Sequence, residues 1–161
     1  MGNITEGKGF LSGNFKITGN TSAPKINGEL NFNDAGFRVT QLNSYFKIGK
    51  EKITFNNETI SFDKFSLFDE NDNELYVNGN IKSPDFRKYN FDLVVEADDF
   101  RAINSKAKDN DLFYGDLVLD SKLNIKGTLE NPVVGGTIKI NKDTKFTVVM
   151  PQSDPSIADR E

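Results

Sequence analysis

The chain has 161 residues, a formal net charge of −4, and neither cysteine nor histidine. A single domain is expected at this length, and the negative charge argues against nucleic-acid binding, which usually needs a basic surface. Without cysteine or histidine, thiol chemistry, the usual zinc sites and histidine-based catalysis are excluded. Phenylalanine accounts for 14 residues, so much of the apolar content lies in large side chains.

Alternation of apolar and polar residues predicts β-strands along most of the chain, beginning near Phe10. The Asp34-Ala35-Gly36 stretch indicates a turn, and the polar segments at residues 56–58 and 69–74 indicate hairpin loops. Between these two loops the parity of the apolar residues changes near Asp63-Lys64, which predicts a β-bulge.

The alternation is most regular in the second half of the chain. From residue 115 to residue 127 nearly all apolar side chains share one parity and nearly all polar side chains share the other, which predicts a half-buried strand. Residues 75–82 and 89–98 follow the same rule, and residues 146–150 end the series. Residues 98–109 show weak helical spacing, and we interpret them as a loop with a short turn.

Counting these runs gives about ten strands and almost no helix, which is typical of an all-β domain. An antiparallel sheet with one apolar face has to be covered, and no amphipathic helix is available to cover it. Two arrangements stay open. A second sheet would give a closed sandwich, whereas one extended antiparallel sheet would curl into an open trough.

A short motif, apolar-x-Gly-x4-Pro, occurs three times. Its copies begin at Ile17, Val77 and Ile125. In the first and third copies another glycine follows four residues after the proline, at Gly28 and Gly136. A repeated strand–turn–strand unit with no attached catalytic residues predicts that an extended sheet surface carries the function.

The apolar face of this predicted sheet is the candidate functional site. It forms either a dry core or an open groove suited to lipid acyl chains, which offer nothing to hydrogen-bond. The predicted groove residues are Phe15, Ile17, Leu30, Phe32, Phe91, Leu93, Val95, Leu117, Leu119, Leu123, Ile125, Ile138 and Ile140. A carbohydrate-binding sandwich is disfavoured because the chain has no tryptophan to serve as a stacking platform.

Other candidate sites are explained by ordinary surface chemistry. Residues 69–74 carry alternating oxygen ligands, but Glu74 and Asn80 stand where a calcium loop needs glycine and glutamate. Asp98 and Asp99 are neighbours in the sequence, and adjacent residues of a strand point to opposite faces, so we do not expect them to form the paired carboxylates of a glycosidase. We therefore predict no enzyme, no catalytic residue, no metal and no cofactor.

Several short motifs follow one another in a recognisable order. They are Ile17 to Gly28, Phe37-Arg38-Val39, Phe68-Asp69, Leu75 to Gly79, Asp99-Phe100, Tyr114-Gly115, Ile125-Lys126-Gly127 and Val149-Met150-Pro151. In this order they resemble the C-terminal conserved region of the TamB family. Its members are the large periplasmic subunits of translocation and assembly modules, related to AsmA-like and bridge-like lipid transfer proteins.

The resemblance implies an apolar trough, the β-taco, without catalytic residues. It also implies a periplasmic location, with the full-length protein anchored in the inner membrane by a segment outside this chain. The implied partner is an outer-membrane barrel of the Omp85 type. The implied roles are phospholipid movement between the two membranes and assembly of outer-membrane proteins.

Two functions follow as expectations. The first is a non-enzymatic hydrophobic conduit for phospholipid acyl chains between the inner and outer membranes, which also supports outer-membrane protein assembly. The second is a scaffold whose sheet edges template the strands of outer-membrane barrels by strand addition. We expect residues 1–150 to form one sheet domain of a longer chain, and residues 151–161 to form a polar loop leading to further strands. The exposed edges are expected to favour edge-to-edge self-association.

Overall fold

A computed structural model describes residues 4–150, and the loop predicted at residues 151–161 lies outside them. Residues 4–150 form one antiparallel sheet without a helix. Its strands are β1 (Ile4–Asn20), β2 (Ala23–Val39), β3 (Ser44–Ile48), β4 (Lys52–Asn57), β5 (Thr59–Phe68), β6 (Glu74–Lys82), β7 (Asn90–Ser105), β8 (Phe113–Thr128), β9 (Pro132–Ile140) and β10 (Lys145–Val148). The predicted all-β class is confirmed, and because these strands form a single sheet they do not make a two-sheet sandwich.

The sheet is a meander in which strands pair with their neighbours along the chain. Two positions are each shared by two strands, because β3 and β4 both pair with β2, and β9 and β10 both pair with β8. Ten strands with two shared positions leave eight strand positions, in the order β1, β2, β3/β4, β5, β6, β7, β8, β9/β10. The free edges of the described sheet are β1 on one side and β9/β10 on the other.

Bulges bend the long strands. The bulge predicted at Asp63-Lys64 is confirmed, since the register with β6 shifts there and Lys64 has a φ of 46°. The turn predicted at residues 34–36 is wrong, because β2 continues through it to Val39. Asp34 has a φ of 48° and lies opposite the break between β3 and β4, where its N–H donates to the Gly49 carbonyl oxygen at 3.3 Å. A bulge therefore replaces the predicted turn.

The loop predicted at residues 98–109 is also wrong over most of its length, since β7 continues to Ser105. Two register shifts between residues 97 and 103 insert extra residues into β7 opposite β8. As a result Phe100 and Ile103 lie on the same face although they are three residues apart. Bulges in a strand produced the spacing that resembles a helix.

The first and third copies of the sequence motif form two equivalent hairpins. Gly19 pairs with Pro24 across β1 and β2, and Gly127 pairs with Pro132 across β8 and β9. Both glycines have left-handed backbone angles, with φ of 88° and 85°. In the copy that begins at Val77 a longer loop separates the two strands, so the equivalence does not extend to it.

The start of β3 meets the end of β7, although β5 and β6 lie between them in the strand order. The Asn104 N–H donates to the Leu42 carbonyl oxygen at 3.0 Å, and the Ser44 hydroxyl donates to the Ala102 carbonyl oxygen at 3.1 Å. In a flat sheet, strands three positions apart would be separated by about 14 Å. The sheet therefore curls on itself beyond the tip of the β5–β6 hairpin.

The buried apolar core is small and lies toward this curled end. Its described members are Ala35, Phe46, Ile48, Phe65, Phe100 and Ile103. Phe46 of β3 and Phe100 of β7 stack with ring centroids 5.6 Å apart and ring planes 8° apart. The stack packs the inner side of the contact between the two strands and so stabilises the curl.

Candidate functional site

Rows of paired residues show which side chains share a face of the sheet, because residues directly opposite on antiparallel strands point to the same side. One row crosses all eight strand positions through Phe15, Gly28, Phe55, Ile60, Ile81, Phe91, Gly127 and Pro132. The adjacent same-side row runs through Gly13, Leu30, Ile53, Phe62, Gly79, Leu93, Ile125 and Val134. Alternation along each strand then places all thirteen predicted groove residues on this one side, which we call the apolar face.

The apolar face is largely accessible to solvent. Phe15, Ile17, Ile138 and Ile140, on the outer strands, are 40%, 68%, 56% and 62% exposed. The other nine predicted groove residues are half-buried, and none is fully buried. Among residues 4–150 the thirteen side chains therefore do not form a dry core. Among the apolar side chains of residues 4–150, full burial is confined to the small core beside the curl.

The sequence-based list of groove residues missed the central strands of this face. These strands contribute Ile53 and Phe55 from β4, Phe62 and Phe65 from β5, and Val77 and Ile81 from β6. Their alternation is visible in the sequence, but the bulge in β5 reverses the parity halfway along the strand. Because the bulge adds one residue, Phe62 and Phe65 face the same side although they are three positions apart.

A pocket of about 360 Å³ opens on the apolar face beside the free edge of β1. Leu11, Phe32, Phe37 and Ile48 contribute to its lining. Three glycines and Ala35 also line it, and because they carry no side chain or only a methyl group they leave room between the larger residues. The pocket is therefore a concave apolar part of an otherwise open surface.

The opposite side of the sheet, which we call the polar face, carries ion pairs between neighbouring strands. The Nζ atoms of Lys122, Lys126 and Lys139 lie 3.3, 3.6 and 3.0 Å from carboxylate oxygens of Glu96, Asp92 and Asp120. Exposed pairs of this kind add little stability. They do show that the two faces of the sheet differ sharply in character.

Asp120 is the most constrained carboxylate of the polar face. It accepts hydrogen bonds from the Asp99 backbone N–H at 2.9 Å, from Lys139 at 3.0 Å and from the Asn141 amide at 3.2 Å. These bonds, led by the one from the Asp99 N–H, lower the pKa of Asp120 to about 2. Asp120 therefore fixes the bulge of β7 against β8 and β9.

Asp69, the first residue of the loop predicted at residues 69–74, is turned toward the protein backbone. Its carboxylate is 1% exposed and accepts N–H bonds from Asn71, Asn73 and Arg101 at 2.8, 2.9 and 2.8 Å. The first two bonds close the β5–β6 loop, and the third joins it to β7 at a bulge. The oxygen atoms of Asp69 thus hold the hairpin tip in place.

Comparison with known protein families gives a match over more than half of the chain. Residues 63–160 match the family described as the TamB C-terminal domain. The chain belongs to this family. The resemblance inferred from the motif order is thereby confirmed, and the match to the TamB domain includes β6 to β10 and nine of the thirteen predicted groove residues. No curated protein and no solved structure matches the chain.

Membership of the TamB family associates the chain with the cell envelope and with lipid transport or outer-membrane protein assembly. The family domain is a transport and assembly module rather than an enzyme. Within residues 4–150 there is no helix that is long and apolar enough to cross a membrane.

Proposed function

We propose that the apolar face holds the acyl chains of phospholipids and carries them across the periplasm between the inner and outer membranes. The observation that carries this proposal is the pair of apolar rows crossing all eight strand positions on a solvent-accessible face. Acyl chains gain free energy from leaving water and need no hydrogen-bonding partner. A continuous surface that is apolar at almost every position suits them, and it requires no catalytic residue.

The dimensions of the sheet suit this cargo. β8 has 16 residues and spans about 53 Å at ~3.3 Å per residue. An acyl chain reaches about 15 Å, half of a ~30 Å bilayer core. One strand length therefore gives a wall deep enough to cover an acyl chain, and the trough shape proposed from the curl would shield the chain from water.

The partners of the full-length protein belong to the same proposal. Membership of the TamB family supports an inner-membrane anchor outside residues 1–161 and an Omp85-type barrel in the outer membrane as the receiving partner. In this arrangement the described sheet forms one section of a longer path.

Photo-crosslinking tests which face binds lipid. A crosslinker at Leu119 or Ile125, on the apolar face of β8, is expected to capture phospholipid in the full-length protein. Asn124 is the matched control, since it is exposed on the polar face of the same strand. Equal capture from Asn124, or no capture from any of the three positions in a folded protein, would refute the proposal.

A charge on the apolar face tests transport itself. Leu119→Arg is expected to block lipid movement, because a charge that loses its hydration without a partner is costly. Asn124→Arg adds the same side chain to the opposite face and is expected to leave transport unchanged. Asp120 is unsuitable as the control, since its carboxylate holds the Asp99 N–H and Lys139.

A second candidate function, the templating of outer-membrane strands, is favoured by the free edges of the sheet. All residues of β1 and β9 are exposed, and an incoming strand could add to either edge. Crosslinkers at an edge would then capture unfolded outer-membrane protein, whereas crosslinkers at Leu119 would capture none. Lipid capture at Leu119 alone supports the conduit.

A further inference from the structure

The two free edges expose apolar side chains as well as backbone. Leu11 and Ile17 of β1 are 60% and 68% exposed, and Val134, Ile138 and Ile140 of β9 are 58%, 56% and 62% exposed. Unpaired strand edges with such side chains readily pair with another chain. These two edges are therefore the places where the described sheet can add a further strand.

The direction of the strands allows a second copy to extend the sheet. Each of the eight strand positions runs antiparallel to the next, so β1 and β9 run in opposite directions. When a second copy is placed beside the first with its apolar face on the same side, its β1 lies antiparallel to β9. An odd number of positions would have made this pairing parallel.

An unfilled position at Gly136 sets the register. At the equivalent Gly28, Phe15 pairs from one side and Phe55 from the other, and the two rings meet edge to face with centroids 5.4 Å apart. Gly136 pairs with Leu123 on one side and has a free edge on the other. A large side chain opposite Gly136 would complete the arrangement seen at Gly28.

We propose that β1 of a second copy pairs with β9, with Phe15 of that copy opposite Gly136. The remaining pairs across the apolar face are then Leu11 with Ile140, Gly13 with Ile138, and Ile17 with Val134. They reproduce the pairs that β1 already makes with β2, which are Leu11 with Phe32, Gly13 with Leu30, and Ile17 with Ile26. In both contacts Gly13 faces a large apolar residue, and Leu11 and Ile17 face other apolar side chains, so the new contact continues an established one.

The backbone groups at the two edges are in phase for this register. The Asn141 N–H donates to the Val118 carbonyl oxygen at 3.0 Å, so the even-numbered residues of β8 direct their backbone groups toward β9. The odd-numbered residues, including Leu123, therefore direct theirs toward β7. Gly136, paired with Leu123, therefore directs its own N–H and C=O to the free edge. It offers a donor and an acceptor to an incoming strand.

The same argument applies to β1. The Phe32 N–H donates to the Glu51 carbonyl oxygen at 2.8 Å. The even-numbered residues of this part of β2, including Gly28, therefore direct their backbone groups toward β4. Phe15, paired with Gly28, then directs its N–H and C=O to the free edge. Phe15 and Gly136 are thus matched as a hydrogen-bonded pair, as Phe55 and Gly28 are.

The polar face raises no obstacle to this pairing. In the proposed register Lys16 lies opposite Gly135, Ser12 opposite Lys139, and Thr18 opposite Val133. No like charges face each other along these pairs. Because the contact joins two different edges it does not close on itself, and further copies can add at both ends.

Sedimentation of the 18.0 kDa chain tests the association, which does not depend on lipid binding. We expect mass to increase with concentration beyond a dimer. Ile138→Pro removes an N–H that points to the free edge and is expected to weaken association by about tenfold or more. Ile138→Ala keeps that N–H and is expected to weaken it less. A monomer at all concentrations, or association unchanged by Ile138→Pro, would overturn the proposal.

Disulfide trapping tests the register and does not rely on the proline variant folding. The chain has no cysteine, and Lys16 and Gly135 form a non-hydrogen-bonded pair in the proposed register, with Cα atoms about 4.5 Å apart, close enough for a disulfide. A mixture of Lys16→Cys and Gly135→Cys proteins is expected to form a cross-linked heterodimer. Val133→Cys, two residues away, replaces Gly135→Cys as the control. Preferential linkage to Val133→Cys would show that the register is wrong.

Discussion

Replacement of Asp69 by alanine is expected to cost much of the stability of the fold. The substitution removes the acceptor of three backbone N–H groups, from Asn71, Asn73 and Arg101, at a site where the carboxylate is 1% exposed. An unsatisfied buried donor costs about 1–3 kcal/mol. Taking the lower part of that range for each donor, we expect Asp69→Ala to lower the free energy of unfolding by about 3–5 kcal/mol, against a typical total of about 5–15 kcal/mol.

Urea denaturation followed by circular dichroism measures this loss. With an m-value of about 2 kcal/mol/M, the midpoint should fall by about 1.5 M or more. Asp72→Ala is the matched control, since it removes the same charge from the same loop. The Asp72 carboxylate is 81% exposed and pairs with Lys47 at the surface, so its loss should cost no more than about 1 kcal/mol. Equal losses for the two variants would refute the bridging role assigned to Asp69.

Two further predictions concern the polar face and the repeated hairpin. The folded-state pKa of Asp120 is about 2, below its ordinary 3.8, so its ionised form stabilises the fold above pH 3.8 and this contribution is lost as the pH falls toward 2. The stability difference between the natural protein and Asp120→Asn should therefore shrink across that window in urea titrations, and a constant difference would contradict the assignment. Gly28→Ala places a Cβ 2.0 Å from the Asn14 carbonyl oxygen at a φ of 150° and should lower the melting temperature, since a strained backbone costs about 1–3 kcal/mol. Gly49→Ala, where a Cβ meets nothing within 4 Å, should have little effect, and equal shifts would show that the close approach at Gly28 is tolerated.

The regular strands could be predicted from the sequence because each has a single apolar parity. β8 is the best case, since Leu117, Leu119, Leu123 and Ile125 share one side with only Ser121 as a polar exception. Bulges limited the prediction elsewhere. The extra residues in β7 placed Phe100 and Ile103 three apart on one face, a spacing that a parity rule cannot distinguish from a helical turn.

The composition of the candidate site was predictable, but its exposure was not. Parity places Ile138 and Ile140 on the apolar face. That they lie on an outer strand is known only from the pairing in the described sheet, in which β9 has β8 as its one partner. The contact between Ser44 and Ala102 depends on curvature accumulated over several strands, and no local pattern encodes it. The contact of Asp69 with Arg101 was missed for the same reason, since the two residues are 32 positions apart.

The meander has a consequence for how the chain folds. Almost every strand finds its partner in the next segment of the chain, so each hairpin can form as soon as its second strand is available, with a short loop to close. The order of assembly is then expected to follow the chain, much as in a repeat protein whose units depend mainly on their neighbours. The union of β3 with β7 is the exception, because it must wait until the intervening hairpin is complete. A slow final phase that disappears when Phe46 or Phe100 is truncated would mark the moment at which the sheet curls.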